Sequence, residues 1–466
     1  MSASYRQKFY LTYSPLDVLW KDINGFKPLL SYLPSGVVIT LGTTLTLQRH
    51  LFNVEWEILG QFSRRIRSLT IESFELDMIS DRVVQALVST PPFALFPNLR
   101  SLQWCDDRDC FLPLLRTLLV PTVRSMTLCS VLAGFEPWTF SFAKSTILAS
   151  LGTRCPSIQK FICECGGGYE ETSDAVCKAV RGFHDLVHLA TGVLNAQALA
   201  HLASVPSLKS LDFMSYEYLA DSEPNSIPTF TSKLDAVYIT AVSQSHLTQC
   251  LRNVRFPSSQ SATLYTDCNY LDLPYDPLDI PDLIISFSEC FAPVLEQLVV
   301  EIDFDGLHEN VLKDPHFAFG FDVFAPLLSF TRLTKLDIDW ICISSVDDDA
   351  LKIMVQAWPQ LEVFSFGGGA WLVPPSITFI GLAHITQHCR HLRQLEISFH
   401  AFSIDTNSEP FSATIPNENI TSFFVGISPI VNTMAVACQL HALMPHLTGV
   451  GCFEGYLAPS VAGFND

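Results

Sequence analysis

The chain of 466 residues carries 48% hydrophobic, 11% aromatic and only 16% charged side chains, an apolar share that excludes a disordered tail and supplies ample core. Lys plus Arg number 28 against 47 for Asp plus Glu, a formal charge of −19. That average field repels polyanions, so neither nucleic acid nor an anionic membrane surface is an expected partner.

In chain order, residues 1–13 hold Arg6 and Lys8, but the apolar stretch behind them is only Phe9-Tyr10-Leu11, too short for the core of a signal peptide. Fourteen cysteines without a secretory signal are expected as thiols in a reducing, cytoplasmic or nuclear setting. Residues 1–60, with Leu16, Leu19 and Trp20, are expected to form an N-terminal helical cap. From there a short phrase begins to return. It reads Ile66-Arg67-Ser68-Leu69-Thr70-Ile71, then Leu99-Arg100-Ser101-Leu102-Gln103-Trp104, then Val123-Arg124-Ser125-Met126-Thr127-Leu128. Later copies centre on Phe161, Leu189, Leu211, Val237, Leu298, Leu336, Phe364, Leu395 and Val450, with a poorer one near Leu264. The mean period is about 30 residues, within the range of leucine-rich repeats, and individual spacings run from roughly 22 to 38.

In each phrase the last two apolar positions are two apart, so both point to one face of a strand and the residue between them points to the other. Between phrases, pairs such as Ile147 and Leu151, Leu199 and Leu202, or Leu351 and Val355 are spaced for a helix. No single strand–helix unit can bury its own apolar face, so units must stack. The expected fold is an α/β solenoid, a leucine-rich-repeat horseshoe with one short parallel strand and one helix per irregular repeat. The array is expected over 61–400, with a long insertion and a capping repeat over 401–466. Stretches 256–293 and 398–424 exceed a tight turn, as does 216–228, and long loops of that kind are expected to be mobile or to bind. The greasy stretch 423–438 is interrupted by Ser428, Pro429, Asn432 and Thr433, short of the ~20 apolar residues that span a bilayer.

Motifs that carry chemistry are weak. Cys163-x-Cys165, Cys105-x4-Cys110 and His184-x3-His188 lack the second pair that a zinc framework needs, so no metal is expected. Gly166 to Gly168 and Gly367 to Gly369 follow repeat strands without the Lys-Ser/Thr of a phosphate loop, and Gly449-x-Gly451 with Gly455 leaves no room for a βαβ unit. These glycines are read as turns that need positive φ. No Gly-x-Ser-x-Gly elbow is present, and no catalytic residue or cofactor is expected. The residues between or beside the apolar strand positions face the inner wall of the expected horseshoe. They pick out Asp212, Glu301, Asp337, Asp339 and Glu396 as an acidic strip that would attract a basic segment of a partner.

Two phrases place cysteine just ahead of the first apolar position: Cys155-Pro156-Ser157-Ile158-Gln159-Lys160-Phe161 and Cys389-Arg390-His391-Leu392-Arg393-Gln394-Leu395. They resemble the cysteine-containing class of leucine-rich repeats, in which a helix ends at Cys-Pro-x-Leu. The stretch Pro15-Leu16-Asp17-Val18-Leu19-Trp20-Lys21-Asp22-Ile23, with Phe26-Lys27-Pro28-Leu29-Leu30 and Leu33-Pro34, resembles the back end of the F-box in fungal F-box and repeat proteins. The resemblance implies a substrate receptor of a Skp-containing cullin-RING ubiquitin ligase, with repeats that hold the target and Leu16, Leu19 and Trp20 against the adaptor. Residues 1–13 carry none of the Leu-Pro-x-Glu start of an F-box, so its front half is expected to be missing. The other reading is a repeat scaffold without ligase function, in which the same three residues cover the open edge of the first repeat.

Overall fold

In the computed structural model, the described residues are 20–89, 94–130, 138, 141–163, 170–215, 227–267, 276–303, 318–338, 341, 343–367, 375–401, 415–426, 428–430 and 432–452. The chain divides into two compact units, Met1–Ala198 and Leu199–Asp466. Both are α/β, and both are built on parallel sheet.

The first unit contributes β1 (Asp22–Asn24), β2 (Val38–Leu41), β3 (Thr44–Leu47), β4 (Ser68–Glu72), β5 (Ser101–Cys105), β6 (Ser125–Cys129), β7 (Lys160–Cys163) and β8 (His188–Val193). Its parallel strands lie in the order β1-β4-β5-β6-β7-β8, while β2 and β3 make a separate antiparallel hairpin. The second unit contributes β9 (Ser210–Ser215), β10 (Ala236–Ala241), β11 (Ser261–Asp267), β12 (Gln297–Asp303), β13 (Lys335–Ile338), β14 (Val363–Phe366), β15 (Gln394–Ile397), β16 (Ser422–Phe424) and β17 (Gly449–Gly451). These nine pair in chain order, each parallel to the next. A sheet of this kind needs a return connection after every strand. Helices such as Phe142–Arg154, Gln244–Arg252, Ile280–Cys290, Asp348–Ala357 and Phe379–His388 supply it.

Register follows the repeated phrase. The first apolar strand position forms one row in each unit: Ile23, Leu69, Leu102, Met126, Phe161 and Leu189, then Leu211, Val237, Ala262, Leu298, Leu336, Phe364, Leu395, Phe423 and Val450. All are buried except the terminal Val450. Strands β4, β6 and β9 alternate half-buried with buried residues along their length, the mark of a sheet covered on one face and open on the other. Each large side chain in these rows contributes roughly 1.5–3 kcal/mol of apolar burial.

Every repeat sequence expected from the phrase has a strand at its centre, and the structure adds two. Ile23 and Phe423 are also rungs. The stretch 256–293 holds a strand and a helix, β11 and Ile280–Cys290. Within 1–60 the described chain holds the short helix Lys27–Leu30 and the helix Asn53–Ser63, together with β1 and the β2–β3 hairpin. Stretch 216–226 and, within 398–424, residues 402–414 lie outside the described residues.

Helix ends are set by local chemistry. Ser141, Ser243, Asp347, Thr378 and Asn432 each accept a first-turn N–H at a helix start, satisfying donors that have no partner inside the helix. At the far ends, Cys155 and Cys389 close the helices Phe142–Arg154 and Phe379–His388. The Cys389 thiol points at the Val355 and Trp358 carbonyl oxygens, at 3.8 and 3.6 Å. Burial pushes both thiols up to about 12, so they serve as small packed groups and not as nucleophiles. The next unit is tied on by Asp348, whose carboxylate accepts from the Thr378 and Gly381 N–H groups and from the Thr378 hydroxyl, at 2.7, 2.8 and 2.6 Å.

Gly152 and Gly182 let the helices Phe142–Arg154 and Glu170–Arg181 meet closely. A Cβ on Gly152 would stand 2.6 Å from Cα of Gly182. Gly152→Ala is therefore expected to cost about 1–3 kcal/mol through overpacking, read as a lower urea midpoint with an unchanged slope. On the helix Phe379–His388, burial and nearby Lys352 hold His384 below its usual value, with His388 adding and Asp348 and Asp349 opposing. Burial, with Lys352 and Arg390, does the same to His388. The unfolded chain then binds more protons than the folded one as the pH falls below 6.5, so stability should be lost on acidification through that window. Urea midpoints of the His384→Gln variant should fall less steeply from pH 7.5 to pH 5 than those of the parent chain.

Candidate interaction surface

The open face of the sheet presents the residues between the two buried apolar rows. In the first unit that row is Asn24, Thr70, Gln103, Thr127, Ile162 and Ala190, which carries no charge. In the second unit it is Asp212, Tyr238, Thr263, Val299, Asp337, Ser365, Glu396 and Phe424. Three of the acidic residues picked out from sequence, Asp212, Asp337 and Glu396, thus share a row. Glu301 is exposed and belongs to the next row, aligned with Tyr265, Thr240 and Met214. Asp339 lies outside the described residues.

The carboxylates do not make one strip. Neighbouring strands are about 4.8 Å apart, so Asp212 stands about 19 Å along the row from Asp337. That is beyond the ~8 Å screening length at physiological salt. Tyr238, Thr263 and Val299 fill the interval. Asp337 is in addition paired with Lys335 at 3.2 Å, a surface pair worth only about 0.2–1 kcal/mol. Tyr238 is 42% exposed, and Tyr265, Met214 and Phe424 are half-buried. The face is therefore a mixed aromatic and acidic one. Sequence reasoning selected the acids and passed over the tyrosines, although Tyr238 occupies the same interstitial slot as Asp212.

Trp20 of the expected adaptor-binding group is 5% exposed. Its ring packs against Tyr32 and Phe62, with centroids at 4.9 and 4.7 Å. Leu16 and Leu19 lie outside the described residues.

A second cluster follows β5, where Asp106-Asp107-Arg108-Asp109 leaves the strand. The Asp106 carboxylate is fully buried and pairs with Arg108 at 2.7 Å, while Arg108 also reaches Asp77 and the Ser73 carbonyl oxygen. The hydrogen bond to Asp106 raises the Arg108 guanidinium above its ordinary value. The indole N–H groups of Trp104 and Trp138 both donate to the Asp106 carbonyl oxygen, at 2.9 and 3.1 Å. Lys144, its side chain 3% exposed, reaches Asp107 at 2.5 Å and lies over the Trp138 ring. These charges satisfy one another, and the result is a rigid strand exit.

Hollows are lined by helical residues in each unit. One of about 700 Å³ has Leu112, Pro113, Phe142, Arg116 and Arg154 in its walls. One of about 340 Å³ lies among Ser245, Thr248, Arg252, Asp279 and Asp282, with Arg252 and Asp282 paired at 3.0 Å. Burial, with Asp276 and Asp282 nearby, raises the Asp279 carboxyl. Among the described residues no three His, Cys, Asp or Glu side chains gather to hold a metal ion. Cys105 is buried and Cys110 exposed, and Gly367 takes φ +64 at the end of β14, a turn position. No helix among the described residues is long and apolar enough to cross a membrane. No protein-family model matches the sequence, and no curated protein matches it.

Replacing Lys144 takes from Asp107 its 2.5 Å contact beside the buried Asp106. Lys144→Met should destabilise the first unit by about 1–3 kcal/mol, the range for stripping a charged group of a hydrogen bond. Denaturation followed by tryptophan fluorescence measures it, since Trp104 and Trp138 both touch the cluster.

Proposed function

We propose that the chain is a protein-binding leucine-rich-repeat horseshoe whose open sheet face captures a partner, and that its cellular setting is intracellular, cytoplasmic or nuclear. The observation that carries this reading is the row of the second unit in which exposed Tyr238 stands between Asp212 and Thr263 on successive rungs. Aromatic side chains on a rigid frame give large contact area at little entropic cost. The neighbouring Asp212 carboxylate favours a partner segment carrying Lys or Arg, and steers its approach. The cysteines that close helices as buried thiols fit a reducing compartment.

The partner is a ubiquitylation target if the chain is the substrate-recognition subunit of a Skp-cullin-F-box ligase, and the resemblance of residues 15–34 to the back of an F-box supports that extension. The burial of Trp20 against Tyr32 and Phe62 favours the second reading, a binding scaffold without ligase function, because a side chain packed inside its own unit offers little to an adaptor.

The two readings separate by experiment. The full-length chain mixed with a purified Skp-type adaptor should co-elute in gel filtration under the ligase reading, and separate elution at high concentration of both overturns that reading alone. For the binding face, Tyr238→Ala with Tyr265→Ala should weaken capture of the partner at least tenfold, about 1.4 kcal/mol, without lowering the melting temperature. Unchanged affinity in that variant overturns the assignment of the face.

A further inference from the structure

We propose that Cys105 and Cys129 are an oxidation site: a pair of thiols on neighbouring rungs that closes into a reversible disulfide under peroxide or a low-molecular-weight disulfide. Cys105 ends β5 and Cys129 ends β6, and the two are register partners. Neighbouring strands run about 4.8 Å apart, inside the roughly 4.4–6.8 Å between Cα atoms that a disulfide bridges. Register partners in a parallel sheet project to the same face, here the one opposite the buried Trp104 and Leu128. The two sulfurs stand 2.7 Å apart, closer than the ~3.5–4.0 Å of non-bonded heavy atoms.

The backbone at this spot is already held. The Asp106 carbonyl oxygen next to Cys105 accepts from two indoles, and the Asp106 carboxylate is tied to Arg108. Bridging therefore needs side-chain rotation and no strand movement. Two other buried thiols are placed differently. Cys155 and Cys389 sit at helix ends, and the Cys389 sulfur faces carbonyl oxygens. Cys110 is exposed on the turn Asp109–Phe111 and is the competing partner in sequence.

Access sets the order of events. Cys105 is 1% exposed while Cys129 is partly open. Cys129 therefore meets the oxidant first. Its thiolate sulfur attacks one peroxide oxygen, the O–O bond breaks, and the departing hydroxide takes up a proton as water, leaving Cys129 as the sulfenic acid. The Cys105 sulfur then attacks that sulfur. The S–S bond forms as the S–OH bond breaks, and the hydroxyl leaves with the Cys105 proton as a second water. In sum two thiols and one hydrogen peroxide give one disulfide and two waters, the sulfurs losing two electrons and the peroxide gaining them. A thiol of the glutathione type reverses the bridge by exchange, itself becoming the disulfide.

The test uses the full-length reduced protein, treated with rising hydrogen peroxide until exposed Cys110 is oxidised, then alkylated with N-ethylmaleimide, digested and mapped by mass spectrometry. The expected result is a peptide pair joined through Cys105 and Cys129, lighter by two hydrogen atoms, that forms at a lower dose than any change at Cys110 and disappears with dithiothreitol. Oxidised protein should also melt at a higher temperature than reduced protein, and Cys129→Ser should abolish both the joined peptide and the shift. Alkylated Cys105 and Cys129 in protein whose Cys110 is already oxidised, or Cys105 joined to Cys110, overturns the proposal. The peptide map reads the parent chain, so it decides between these outcomes even where the serine variant folds poorly.

Discussion

The structure depends on one recurring backbone contact. At most strand entries the carbonyl oxygen just before the strand accepts two consecutive N–H groups from the next repeat. Arg67 O takes Arg100 and Ser101 N–H at 2.7 and 2.9 Å, and Arg100 O takes Arg124 and Ser125 N–H at 2.8 and 2.9 Å. Arg124 O then takes Gln159 and Lys160 N–H at 2.7 and 2.9 Å. In the second unit Glu296, Thr334, Glu362, Arg393 and Thr421 repeat the pattern. A shared carbonyl fixes where the next strand begins, and hence its register. A slip by one residue would turn every buried leucine to the open face. Side chains reinforce the same joint: the Thr122 hydroxyl donates to the Pro97 and Leu99 carbonyl oxygens, and the Thr334 hydroxyl to Glu296 O.

This joint explains why the array tolerates irregular spacing. What must be kept in geometry is the short piece around each strand entry, while the return path can be a long helix such as Phe142–Arg154 or the short turn Ala325–Ser329. The apolar rows then select residues by size at each rung. Leu69 is followed by Leu102, Met126 and Phe161, so volume varies along the row and neighbouring helices adjust to it, down to the glycine contact at Gly152 and Gly182.

That is also why most rungs were legible in the sequence. The phrase around Leu69, Leu102 or Phe364 carries both the strand alternation and the preceding apolar anchor, and each such phrase became a strand. The two unrecognised rungs, at Ile23 and Phe423, have only three-residue strands. After Ile23 the second apolar slot falls to Gly25 at φ +66, and a glycine there erases the period-two signal. The unit over 256–293 shows only as a poorer copy near Leu264, because its in-register residue is Ala262, too small to stand out as the centre of a phrase. The interaction surface was less legible than the fold. Sequence order names the outward positions but not the distances between them, and distance is what divides Asp212 from Asp337 and leaves Tyr238 within that stretch.

The same separation between what a rung fixes and what it presents bears on chemistry. Buried positions are constrained by packing, and a cysteine among them, such as Cys163 in the second apolar row of β7, acts as a small hydrophobe. Two cysteines at matching outward slots, as at the ends of β5 and β6, are brought together by register alone. In a parallel array any reactive pair of this kind is set by the same joint that aligns the leucines, so the geometry of the open face is inherited from the core.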